Sequence, residues 1–157
     1  MIFFNLFTIL CLGLLIGNEL TVSLFINPVM LQLDPSPRTQ AISLFARLLG
    51  KVMPFWYALC LLLLLTETVI YRHETVFRFL IVASGLWAAV IVFSVTTLVP
   101  INHRIAALPP EASLSSWQKE HHHWEILHRW RIGLLTFAFS CTVYAMLTAH
   151  QLATLCR

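Results

Sequence analysis

Residues 79–102 read FLIVASGLWAAVIVFSVTTLVPIN, without one acidic, basic or histidine side chain. A membrane-spanning helix needs about 20 predominantly apolar residues. Backbone left open in lipid would leave its hydrogen bonds unmade, so this run is expected to be helical. Three other stretches have the same character: residues 1–33 hold only Glu19, residues 52–71 only Glu67, and residues 132–156 only His150. No segment between them is apolar for long enough to cross. The expectation is an all-α integral membrane protein, a four-helix up-down bundle in a single domain over 1–157. Its spans are expected at about 3–28, 50–71, 79–100 and 130–154.

Composition points the same way. The 157 residues are 59% hydrophobic and 11% charged, whereas a soluble domain is roughly 25% charged. So few charges cannot cover a water-facing surface. The net charge of +3 comes from sparse charges rather than a basic face, which argues against a nucleic-acid partner. Cys11, Cys60, Cys141 and Cys156 show no Cys-x-x-Cys spacing and read as core thiols, not as a disulfide framework or zinc site. The opening Met-Ile-Phe-Phe-Asn lacks the positive region of a secretory signal, so the first stretch is expected to be a retained span.

The connections differ in kind. Asp34-Pro35-Ser36-Pro37 is a turn signal expected to end the first helix, with Ser36 expected to cap a second helix that starts at Pro37. Tyr71 to Arg78 is short and polar, so the second and third helices should be antiparallel. The third connection is broken by Pro109-Pro110, and Ser115 with Gln118 resembles a capping box. The helix it opens, from about Ser116 to Leu155, is too long for a ~30 Å membrane core, so its first turns should project beyond it. Arg38, Arg47, Lys51, Arg104, Lys119, Arg129 and Arg131 fall on one side of the bundle, and Arg72, Arg78 and Arg157 on the other. The excess of positive charge marks the first side as cytoplasmic and puts both termini outside. The expected location is a bacterial inner membrane.

Polar residues collect at one end of the bundle. Asn18 and Glu19 lie in the second half of the first span, followed by Asn27 and Pro28. Arg47 and Lys51 open the second span, Pro100-Ile101-Asn102-His103-Arg104 closes the third, and Trp124 to Arg131 leads into the fourth. An ionisable residue inside a membrane costs roughly 2.5–3.5 kcal/mol on insertion scales and faces a partner or wet cavity. Glu19 therefore needs a partner, and Arg131 or His128 is the expected one. Glu67 is expected near the opposite interface, solvated or paired.

Trp117, His121, Trp124, His128, Arg131 and Leu135 recur three or four residues apart, so they share one helix face. Such a stripe lines a pocket for a flat aromatic molecule, forms an interfacial belt, or does both. The histidines also raise a metal reading. Glu120-x-x-His123 and Glu125-x-x-His128 have the spacing of carboxylate-bridged metal bundles, although both pairs lie on one helix. A copper or iron site built from His103, His121 and His128 stays open as an alternative; otherwise no cofactor is implied.

Asn18-Glu19, Pro28, Pro100-x-Asn102 and Trp124-x-x-x-His128-x-x-Arg131 together resemble the anthrone-oxygenase-like family of small four-helix membrane proteins. The resemblance extends over nearly the whole chain through span layout and these motifs. It implies oxidation of an anthrone-type polyketide to a quinone with dioxygen, with no established cofactor. Carried over by position, Asn102, Trp124, His128 and Arg131 form the functional set. His128 would take the proton, since imidazole titrates near neutral pH. Arg131 and Asn102 would stabilise the enolate, and Trp124 with Trp130 would sandwich the ring. Asn18, Glu19 and His103 complete the expected binding site.

The leading expectation is thus a membrane-embedded oxygenase-like enzyme whose partners are the lipid bilayer and a hydrophobic aromatic or quinone-like small molecule. Two alternatives stand beside it: a non-enzymatic membrane binding or assembly protein, and a His-ligated metal or haem redox protein.

Overall fold

The computed structural model describes residues 1–107 and 114–155, with side chains over 1–105 and 119–151. Pro109-Pro110, Ser115, Trp117, Gln118 and Cys156 lie outside the described backbone or side chains. Helix α1 is Ile2–Thr21, continued through a π-helical turn Val22–Ile26 into Asn27–Leu31. Helix α2 is Pro35–Ile70. Helix α3 is Phe77–Phe93, a second π-helical turn Ser94–Leu98, and Val99–Ala107. Helix α4 is Leu114–Leu155. Each is long and apolar enough to cross a membrane, and there is no strand among the described residues. The protein is an integral, multi-pass membrane protein built as a four-helix bundle.

Helices α1 and α3 each pack against both α2 and α4, so they lie across the diagonal and run in the same direction. The core is a narrow stripe from each helix: Leu12, Leu15 and Ile16; Tyr57, Cys60 and Leu64; Ala83, Trp87 and Val90; Leu135 and Ala138. These positions recur three or four apart, as a single inward face requires. Many other apolar residues, such as Leu14, Phe55, Leu62, Val92 and Phe137, point outward to where lipid would lie. Lipid tails are as apolar as leucine, so close packing and polar contacts hold such helices together. Two indoles supply such contacts, Trp56 Nε1 donating to the Cys11 carbonyl and Trp87 Nε1 to the Tyr57 carbonyl, both at 3.2 Å.

The second helix starts earlier than expected, and two prolines lie within helices. Asp34 adopts extended backbone with ψ 154° because a residue before proline is pushed out of the helical region. The second helix therefore begins at Pro35, not after Ser36. Neither Pro28 nor Pro100 ends its helix. Immediately before each, the backbone widens: the Asn27 N–H bonds the Val22 carbonyl and the Val99 N–H bonds the Ser94 carbonyl, each five residues back. A helical proline ring collides with the carbonyl four residues earlier. Here those carbonyls, of Leu24 and Thr96, sit inside the π turns, where the widened backbone makes room.

Of the two alternatives for Glu67, solvated or paired, the structure excludes the first: it is fully buried one turn from the end of α2. Thr8 Oγ1 donates to its Oε1 at 3.1 Å, and it forms no ion pair among the described residues.

Candidate functional site

Glu19 lies one turn before the π turn of α1, on the buried face that continues from Leu12, Leu15 and Ile16. Its carboxylate meets the other helices here. Tyr57 of α2 donates its hydroxyl to Glu19 Oε1 at 2.7 Å. Arg131 of α4 donates Nη2 to Glu19 Oε2 at 2.5 Å, and its Nη1 donates to Ser94 Oγ of α3 at 3.3 Å. Ser94 opens the second π turn. One guanidinium thus joins the two diagonal helices, and its carbon lies 5.7 Å from the centre of the Tyr57 ring. All four helices meet at Arg131.

His128 completes the centre and is 1% exposed. Its Nδ1 is 2.8 Å from Arg131 Nη2 and 3.5 Å from Glu19 Oε2. A guanidinium can only donate, so the shorter contact makes Nδ1 the lone-pair nitrogen. The ring proton then sits on Nε2, which donates to the Glu19 main-chain carbonyl at 3.3 Å. The imidazole is gripped on one side by Arg131 and on the other by the main chain of Glu19 itself.

Among the described members of the α4 stripe, His121, His128 and Leu135 are buried and Trp124 and Arg131 half-buried. Trp124 stacks on His128, with ring centres 4.5 Å apart and planes 15° apart. His121 lies on the other side of the indole, 6.1 Å away and nearly parallel at 7°. Trp124 thus lies in a stack with two imidazoles.

The expected residues divide cleanly. Glu19, Trp124, His128 and Arg131 come together. Asn18 is half-buried beside them and bonds Met53 Sδ at 3.5 Å. Asn102 and His103 are exposed, because Ile101 and Ile105 take the inward positions of that turn. Trp130 is 70% exposed and points away, as do Arg47 and Lys51. The histidines proposed as metal ligands do not converge: His103 is exposed, and the Trp124 ring lies between His121 and His128. No group of three or more histidine, cysteine or acidic residues is placed to hold a metal among the described residues.

Tyr57 and Ser94 escaped the sequence reading. Their signal is faint: a hydroxyl-bearing residue in an otherwise apolar span, at a depth where a buried carboxylate and guanidinium need further partners.

The profile of the anthrone oxygenase family matches residues 43–141. It leaves out Asn18, Glu19 and Pro28, so the resemblance is shown over a shorter part of the chain than the motifs suggested. No curated protein and no solved structure matches the chain. The matched stretch takes in Tyr57, Ser94, His128 and Arg131, every member of the buried centre except Glu19, and covers well over half of the sequence. This chain belongs to the anthrone oxygenase family.

Proposed function

We propose that this protein is a membrane-embedded oxygenase that oxidises a hydrophobic, flat aromatic molecule of the anthrone type to a quinone. The observation that supports this most directly is the buried contact of Arg131 with both Glu19 and His128. A membrane protein keeps a guanidinium, a carboxylate and an imidazole together inside its bundle at considerable cost, and such groups mark functional sites.

The chemistry rests on what these groups can do. An anthrone loses a proton from its ring methylene to become an electron-rich enolate. That methylene carbon then takes one oxygen atom from dioxygen and loses its second hydrogen, and the other oxygen atom leaves as water. Arg131 is the donor that stabilises the enolate oxygen, a role in which preorganised donors are most effective away from water. His128 Nδ1 carries the available lone pair. When the enolate oxygen draws the Arg131 N–H, that nitrogen is released to accept the proton. Glu19 and Tyr57 orient Arg131 throughout. Asn102 and Trp130, which face outward, have no part in this scheme.

The side carrying Arg38, Arg47, Lys51 and the α3–α4 connection is assigned to the cytoplasm, so the substrate enters from that leaflet.

The test uses the purified protein in detergent, given an anthrone in air, with quinone appearance and oxygen uptake followed together. The expected result is enzyme-dependent quinone formation with one dioxygen consumed per quinone. Folded protein that leaves the anthrone at its background oxidation rate would overturn the proposal.

A further inference from the structure

At the end of the bundle that carries the α2–α3 turn, α1 and α2 are joined by two side-chain pairs. Asn5 Nδ2 donates to the Tyr71 hydroxyl at 2.8 Å, and about one turn deeper Thr8 Oγ1 meets Glu67 Oε1 at 3.1 Å. Thr8 and Glu67 are both 0% exposed. Protons are scarce along this seam. Asn5 Oδ1 and Glu67 Oε2 are buried acceptors with no hydrogen-bond partner among the described residues. The Phe4 carbonyl also lies 3.1 Å from Thr8 Oγ1. A hydroxyl has one proton, so beside an ionised Glu67 it is divided between two acceptors.

The neighbouring hydroxyls are already engaged. Thr68 donates to the Leu64 carbonyl at 2.8 Å, which leaves Ser84 to supply the proton of their 3.0 Å contact. Thr142 donates to the Ala138 carbonyl at 2.9 Å. No buried cation compensates the carboxylate either. The buried residues that α3 and α4 bring to this end include Leu80, Ser84, Thr142, Ala145 and Met146, none of them charged. Met1, Arg72, His73, Glu74, Arg78 and His150 are exposed. A lone carboxylate is costly inside an apolar bundle, and an unmet charged oxygen costs more than a neutral one.

One added proton meets these needs. On Glu67 Oε1 it removes the charge and turns the 3.1 Å contact round: Glu67 donates to Thr8, and Thr8 keeps its own proton for Phe4. It requires no cavity among side chains that are fully buried, whereas a metal ion would. We propose that Glu67 is a proton-binding site, which holds its proton as a neutral acid against Thr8 and exchanges it with the solution at the α2–α3 end. Release of that proton leaves an unpaired charge in the seam, so alkaline solution unfastens α1 from α2 there. The site lies about three turns along α1 from Glu19, and it does not depend on the oxygenase reading.

The test is thermal unfolding of the purified full chain in detergent, wild type beside Glu67→Gln, from about pH 5 to about pH 8. The unfolded chain gives up the Glu67 proton within the ordinary carboxylate range, while the folded chain keeps it. Wild type is therefore expected to lose stability as pH rises, by roughly 3–5 °C per pH unit relative to Glu67→Gln. The variant has no proton there to lose, and both proteins share whatever the Glu19 centre contributes. Infrared spectroscopy at neutral pH gives a second reading: a carboxylic-acid carbonyl band that Glu67→Gln removes and Thr8→Val shifts. Should Glu67→Gln fail to fold, the wild-type band and its shift in Thr8→Val decide. Parallel pH profiles would overturn the proposal, as would absence of the band. Stabilisation of wild type alone by sodium ions, with parallel profiles, would overturn it in favour of a bound cation.

Discussion

Arg131 Nη2 reaches Glu19 Oε2 at 2.5 Å although 112 residues separate them in sequence. The side chains are 12% and 4% exposed, so this is an ion pair removed from water, and the helices at its two ends cannot shift without breaking it. Removing one member of such a pair strands the other's charge. Arg131→Met should therefore lower stability by about 3–5 kcal/mol, read as thermal unfolding in detergent. Arg131→Lys keeps the charge but loses the fork that holds Glu19, His128 and Ser94 at once. It should unfold nearly as wild type while quinone formation falls by roughly 10²–10³-fold. Equal turnover in Arg131→Lys would remove the guanidinium from the chemistry.

His128 is expected to separate folding from turnover. Replacement by Phe preserves a ring for Trp124 to stack on and removes both nitrogens. Quinone formation should drop by about 10²–10⁴-fold, with helical content unchanged in circular dichroism. A His128→Phe protein that oxidises anthrone at the wild-type rate would show that its imidazole is not the proton acceptor.

Two glutamates, Glu19 and Glu67, are buried among the described residues, and they should respond differently to the same change. Glu19→Gln leaves Arg131 without its anion and should cost about 3–5 kcal/mol. Glu67→Gln leaves no cation stranded among the described residues, and its amide oxygen can still accept from Thr8. Its cost should stay within about 1 kcal/mol. Urea or thermal unfolding of the two variants side by side gives the comparison, and a Glu67→Gln protein as unstable as Glu19→Gln would mean that Glu67 has an ionic partner.

Orientation can be read independently of activity. With the native cysteines replaced, a cysteine introduced at His73, in the α2–α3 turn, should react with a membrane-impermeant thiol reagent in intact cells. One introduced at Arg47 should react only after the membrane is opened. The reverse pattern would invert the topology drawn from the lysine and arginine count.

Much of this is legible in the chain. The four spans are set by the absence of charge over lengths that only a membrane accommodates, as in residues 79–102. The need of Glu19 for Arg131 or His128 comes from the cost of a lone carboxylate in an apolar medium. The inward stripe Trp124, His128, Arg131 comes from helical periodicity. That Asn102 and His103 are exposed was not legible, because polar character at a helix end says nothing of the direction the packing gives it. Ile101 and Ile105, four apart, claim the inward face, and the residues between them are left outside.

Sequence alone determined the class of the protein and the identity of its costly groups, because hydropathy and charge are properties of residues wherever they lie. Which of those groups touch was decided by tertiary structure. A helical turn that widens before Pro28 or Pro100 changes the facing of the residues beyond it, and neither Tyr57 nor Ser94 acquires a role until helices brought from distant parts of the chain set a carboxylate and a guanidinium beside it. Contact is a property of packing, and packing is settled by all four helices together.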